Sequence, residues 1–124
     1  MAGKETKLRK TFKNDVVAAY YECLREYKRS DVAFEQLAKA PAPRFYVEFE
    51  LARRMVSLIE RGRPLPIKNK NKIAMFEELH RRWKKMGAAS FEPLQEIINE
   101  PAPRFYRDCN TMKDVIYKRI KLKK

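Results

Sequence analysis

The hexapeptide Pro-Ala-Pro-Arg-Phe-Tyr stands at residues 41–46 and returns, letter for letter, at residues 101–106 of a 124-residue chain. Two prolines within three positions limit what can surround each copy. Proline lacks the amide hydrogen that a helix or sheet needs, and it drives the residue before it out of the α region. Each copy must therefore end the helix before it and turn the chain. Six matched positions of such varied chemistry also point to tandem duplication of one small unit.

Only three glycines occur, and Val, Ile and Thr nowhere alternate with polar residues over a useful length, so strands are not expected. The expected fold class is all-α, two tandem pseudo-repeats of a three-helix, helix-turn-helix-like unit. Residues 1–13 carry five Lys or Arg against Glu5 with few apolar side chains, and read as a flexible basic arm. Residues 14–62 form the first unit, 63–71 a basic linker, and 72–124 the second unit with a basic tail.

Helical spacing supplies the elements. From a cap at Asn14 or Asp15, residues Val16, Val17, Tyr20, Cys23, Leu24 and Tyr27 mark a helix ending near Arg29. Ser30 or Asp31 caps a short second helix that buries Phe34, Leu37 and Ala38 and stops by Lys39. A third helix runs from about Glu48 to Glu60 with Leu51, Ala52, Met55, Val56 and Ile59 inward, closed by Gly62 and Pro64. Pro43 could instead open a longer helix; Asp108, a good N-cap after the second hexapeptide, favours a break. In the second unit Phe76, Leu79 and Trp83 align with Tyr20, Cys23 and Tyr27 at an offset of 56, with residues 86–89 as an insertion. Ser90 then caps a helix with Leu94, Ile97 and Ile98 inward, and Asp108 caps one carrying Met112, Val115, Ile116 and Ile120.

Charge is the strongest statement about partners. Lys and Arg number 29 against 16 Asp and Glu, a net +13, and a polyanion is the usual reason a small chain tolerates such self-repulsion. DNA is favoured over RNA, with an acidic protein as another possible partner. No apolar run suits a membrane span or signal peptide, so no membrane partner is expected and the location expected is cytoplasmic: nucleoid-associated, or host cytoplasm or virion if viral. Cys23 and Cys109 lie outside any metal-binding spacing and read as small apolar side chains. His80 is the sole histidine, and no phosphate-cradling glycine loop or nucleophile motif is present. No metal, cofactor or catalytic residue is expected, and the chain does not read as an enzyme.

The candidate nucleic-acid-binding residues fall in three groups. If the third helix of each unit reads DNA, Arg53 and Arg54 face outward in the first copy and Lys113, equivalent to Arg53, in the second; an ordinary solvated face is the alternative. Arg44 and Arg104 precede those helices, where a guanidinium can meet a phosphate or pair with a nearby carboxylate. Arg61, Arg63, Lys68 and Lys70 form a strap able to hold phosphates without reading sequence. Arg61-Gly62-Arg63-Pro64 resembles the core of an AT-hook over four residues only, and Gly62 and Pro64 are already explained as a helix stop. The tail from Lys118 to Lys124 is similarly basic. His80, Arg81, Arg82, Lys84 and Lys85 mark the outer face of the fourth helix, with Trp83 turned into the core.

A Pro-Ala-Pro-Arg-Phe-Tyr elbow after a short helix resembles one in small, basic, uncharacterised proteins of gut Bacteroides and their phages or mobile elements. The similarity covers both units; after the elbow, where Ser or Thr followed by Pro is expected of that group, this chain has Glu48-Phe49 and Asp108-Cys109. The resemblance implies no activity and assigns no residue. Together these features suggest a small DNA-binding regulator or phage or mobile-element accessory factor acting through phosphate contacts. The alternatives are a protein-interaction or virion-packaged structural module, and an RNA-binding protein.

Overall fold

The computed structural model describes residues 6–122 and contains six helices: α1 (Lys7–Tyr27), α2 (Ser30–Leu37), α3 (Phe49–Glu60), α4 (Lys70–Met86), α5 (Leu94–Ile97) and α6 (Cys109–Leu122). The all-α expectation holds. Among the described residues, the sole β pairing is one isolated antiparallel bridge.

Helix α1 starts earlier than its charge pattern suggests. Thr6 caps it, accepting from the Arg9 amide at 3.1 Å, so residues 7–13 are its first two turns and not a flexible arm; residues 1–5 lie outside the described region. The reason is a stripe of Leu8, Phe12, Val16 and Tyr20, four residues apart on one face. Phe12, Val16 and Tyr20 are buried, and Asn14 and Asp15 sit inside the helix instead of capping it.

Helices α3 and α6 begin close to where the sequence places them, whereas neither Ser30 nor Asp31 caps α2 and Pro93, not Ser90, stands at the N-cap of α5. Helix α2 buries Ala33, Phe34 and Leu37. Its start lacks a side-chain cap, with Arg29 at the N-cap position in place of Ser30 or Asp31. Helix α3 follows Glu48 and buries Ala52, Met55 and Val56, while Leu51 is exposed. Gly62, at φ +71°, ends it in a Schellman motif: its amide donates to the Ile59 carbonyl and the Arg63 amide to that of Leu58, both at 2.9 Å. Open space surrounds the Gly62 Cα, so glycine is favoured there by the backbone angle alone. Asp108 caps α6, accepting from the Thr111 amide at 3.3 Å.

The hexapeptides break the chain, as the prolines require, and then meet each other. Ala42 and Ala102, each extended before a proline, pair amide to carbonyl in both directions at 2.9 and 2.8 Å. Both alanines are buried, and their small side chains permit the approach. Phe45 stacks on Tyr106 with centroids 6.1 Å apart, and Tyr46 stacks on Phe105 at 5.8 Å. Each phenylalanine thus lies on the tyrosine of the other copy. Burying Phe45 and Phe105 this fully stabilises the fold by about 1.5–3 kcal/mol each.

Beyond the elbows the helices are exchanged. Helix α3 packs on α4 and α5, not on α1 or α2, and α6 packs on α1 and α2, not on α4 or α5. Segments 14–62 and 72–124 therefore do not close as two self-contained three-helix units. The physical reason is the extended elbow, which carries each third helix past its own partners to an equivalent apolar surface on the other side. One lobe consists of α1, α2 and α6, the other of α3, α4 and α5.

The expected offset of 56 between first helices also fails. It pairs Trp83, buried, with Tyr27, 40 % exposed. The helix ends themselves correspond at a different spacing, because both stop on a left-handed residue, Lys28 and Gly87. Residues 86–89 are then the end of α4 and its cap, not an insertion. Helix α5 is shorter than α2 because its start is set by Pro93, the N-cap residue.

Candidate nucleic-acid interface

The chain's positive charge is unevenly neutralised. Along α4, Glu78 takes Arg81 and Arg82 at 2.6 and 2.8 Å. Glu60, at the end of α3, takes His80 and Lys84 at 2.9 and 2.8 Å. These contacts hold both carboxyls below the usual range: for Glu60 chiefly through Lys84, for Glu78 chiefly through Arg81. Arg82 is not on an outer face. It lies 4.9 Å over the Phe45 ring and donates to the Pro101 carbonyl at 2.9 Å, tying α4 to both hexapeptides. Trp83 is a core residue as expected, stacked on Phe91 at 4.7 Å and donating to the Ser90 carbonyl at 2.8 Å.

The strap contrasts with this. From Arg61 to Lys72 the chain holds Arg61, Arg63, Lys68, Lys70 and Lys72 and no acid. All five are exposed, and among the described residues none forms a salt bridge. Glu60, the acid just before them, is engaged with His80 and Lys84. Asn69 caps α4, accepting from the Lys72 amide at 3.0 Å, so the strap ends in the capped first turn of that helix. Arg54 on α3 is exposed and forms no salt bridge among the described residues, whereas Arg53 is held by Glu50 at 2.7 Å.

The remaining candidates separate from this strip. Lys113 sits in the other lobe, its ammonium 5.3 Å over the Phe34 ring. Helices α3 and α6 do not touch, so Arg53 and Lys113 share no surface through helix contact. Arg44 is half-buried, donating from Nε to the Phe45 carbonyl at 3.0 Å. It shares a shallow hollow with Glu48, Lys7 and Thr11. Arg104 is exposed and lies 5.1 Å over the Tyr106 ring. The two elbow arginines, identical in sequence, thus have different surroundings.

A second basic surface escapes a reading of the sequence. The start of α1 and the body of α6 form adjoining hollows of about 350 and 190 Å³ that share Arg9, Lys13 and Val115. Lys118 and Arg119 line the smaller, and Arg107 the larger. Arg119 donates to the Asn14 side chain at 2.8 Å, joining residues 105 apart. One signal for it does stand in the chain: Arg107 follows the second hexapeptide where Val47, buried, follows the first.

Both cysteines are half-buried and free. Burial, followed by Glu26 and Glu22, raises the Cys23 thiol, which keeps it protonated and unreactive. Among the described residues no group of three or more His, Cys, Asp or Glu could hold a metal ion, and no helix is long and apolar enough to cross a membrane. No protein-family model, no curated protein and no solved structure matches this chain.

Proposed function

We propose that this protein binds nucleic acid, DNA in preference to RNA, through phosphate contacts and without catalysis. The strap from Arg61 to Lys72 carries the reading: five exposed cations, no acid among them, beside Arg81, Arg82 and Lys84 of α4, which are already paired with Glu78 and Glu60. Unpaired cations displace counterions from a phosphate backbone, and that release drives binding. Paired ones must first give up a carboxylate. Arg54 extends the strip along α3, and Arg44 and Arg104 are secondary contacts. A small regulator or an accessory factor of a phage or mobile element, in the cytoplasm and nucleoid, fits this chemistry.

The two halves are further proposed to be copies of one ancestral three-helix unit. The returning hexapeptide supports this, as do the reciprocal stacking of Phe45 on Tyr106 and Phe105 on Tyr46.

Fluorescence anisotropy with duplex DNA across a salt series tests the reading. Affinity should fall steeply as salt rises, with log K linear in log salt. Changing Arg61, Arg63, Lys68 and Lys70 to Gln should flatten that slope by about one unit for each phosphate the variant no longer neutralises. An Arg44→Ala, Arg104→Ala double variant should lose less. No binding at low salt, or binding indifferent to salt, sinks the proposal. Duplex DNA, single strands and RNA titrated side by side decide between DNA and RNA.

A further inference from the structure

Arg107 is the most unusual cation in the molecule. It is half-buried, its guanidinium lies 5.1 Å over the Phe12 ring, and its one hydrogen bond among the described residues runs from Nη1 to the Tyr106 carbonyl at 3.3 Å. No carboxylate forms a salt bridge with it there. Asp108, its neighbour, is engaged with the Thr111 amide. Guanidinium carries five donors in a rigid fork, and no fully buried polar side-chain atom in the described structure lacks a partner. The unused donors therefore reach solvent, and Arg107 lines both the cleft beside α1 and α6 and a second hollow beside α3 and α4. Burial first, and then the charge of Arg9, disfavour its protonated form, and Asp108 offsets them only in part.

An anion in the cleft offsets the remainder. Arg9 and Lys13 of α1 line it opposite Arg107, with the Thr6 and Thr111 side chains also in its wall. Leu8, Phe12 and Val115 supply an apolar wall. The cleft measures about 350 Å³, within the usual range for a small-molecule site. Two planar guanidiniums, Arg9 and Arg107, beside the one ammonium of Lys13 suit a phosphate, and a dianion balances three cations better than a monoanion.

We infer that the cleft between α1 and α6 binds a phosphomonoester whose organic body lies on the apolar wall. The two sources of that chemistry are the 5′-phosphate end of a nucleic-acid strand and a free nucleoside monophosphate. The strand end deepens the nucleic-acid reading and rests on it; the free nucleotide does not.

The full-length protein is titrated with a short DNA duplex whose strands carry either a 5′-phosphate or a 5′-hydroxyl, and separately with a nucleoside monophosphate and its nucleoside. The phosphorylated duplex should bind about tenfold more tightly than its hydroxyl twin. Arg107→Gln should erase that preference, the phosphorylated and hydroxyl duplexes then binding alike. Arg9→Gln, at an exposed position, should reduce the preference and serves if Arg107→Gln does not fold. If the monophosphate binds but its nucleoside and both duplexes do not, the cleft stands and the nucleic-acid reading falls. Equal binding of the two duplexes with no binding of the monophosphate overturns the cleft and leaves the nucleic-acid reading intact. Binding of none overturns both.

Discussion

Ala42 and Ala102 hold each other by two hydrogen bonds, each amide donating to the other's carbonyl at 2.9 and 2.8 Å, with both side chains buried. This pair joins the two hexapeptides where the lobes meet. Ala42→Leu forces extra volume between closely paired backbones and should destabilise the protein by about 1–3 kcal/mol. Urea unfolding followed by circular dichroism measures it. A loss indistinguishable from zero would show that the pairing is loose.

Tyr46 reaches from the elbow to α1, its hydroxyl donating to Asp15 Oδ2 at 2.7 Å. Burial first, and then the bond to Asp15, push the phenol far above its ordinary value. The neutral phenol is favoured in the fold, so this stabilisation is complete below about pH 10 and is lost as pH rises beyond it. Tyr46→Phe should cost about 1–3 kcal/mol at neutral pH by leaving Asp15 without its donor. Alkaline unfolding of the variant should depend less steeply on pH than that of the parent.

Acid should weaken the fold through different groups. The carboxyls of Glu60, Glu78 and Asp108 are all held low, by Lys84, by Arg81 and by the Thr111 side chain and amide respectively. A lowered carboxyl stabilises above its unfolded pKa of about 4 and ceases to do so as pH falls through the folded value. The melting temperature should therefore fall on acidification below about pH 4. Glu60→Gln with Glu78→Gln should make that decline shallower. A double variant with the parent's pH profile would remove these pairs from the account.

Cleavage in the strap should not separate the protein. Arg61 and Lys68 are exposed between α3 and α4, and trypsin should cut there early. Because α3 packs on α4 and α5 and α6 packs on α1 and α2, the two pieces remain interlocked. They should co-elute in size exclusion with the parent's helicity and part only in denaturant. Two separate peaks under native conditions would contradict the exchanged packing.

What the residues disclose on their own is mostly local. The prolines at 41, 43, 101 and 103 mark the breaks, Gly62 and Asp108 mark helix ends, and the helical spacing of Trp83 places it in the core. The start of α1 is hidden because Leu8 and Phe12 sit among five cations, whose density masks a four-residue spacing. Helix exchange is not legible, since an apolar face states that it will be covered and not by which helix. Of the candidate interface, the strap is continuous in sequence and therefore visible there. The α1–α6 cleft draws on residues about a hundred positions apart, as Asn14 and Arg119 are, and no periodicity joins them.

The exchange also governs the order in which this chain can become a protein. Helices α1 and α2 are made before α3, α4 and α5, yet the helix that covers them, α6, comes after all of these. Until α6 arrives, Val16 and Phe34 have only part of the surroundings that bury them in the finished fold. Folding of that lobe must therefore wait for α6, at a rate set by contacts distant in sequence and slower than a bundle of sequential helices would show. In that interval the basic strap is already made while the core of that lobe is still incomplete.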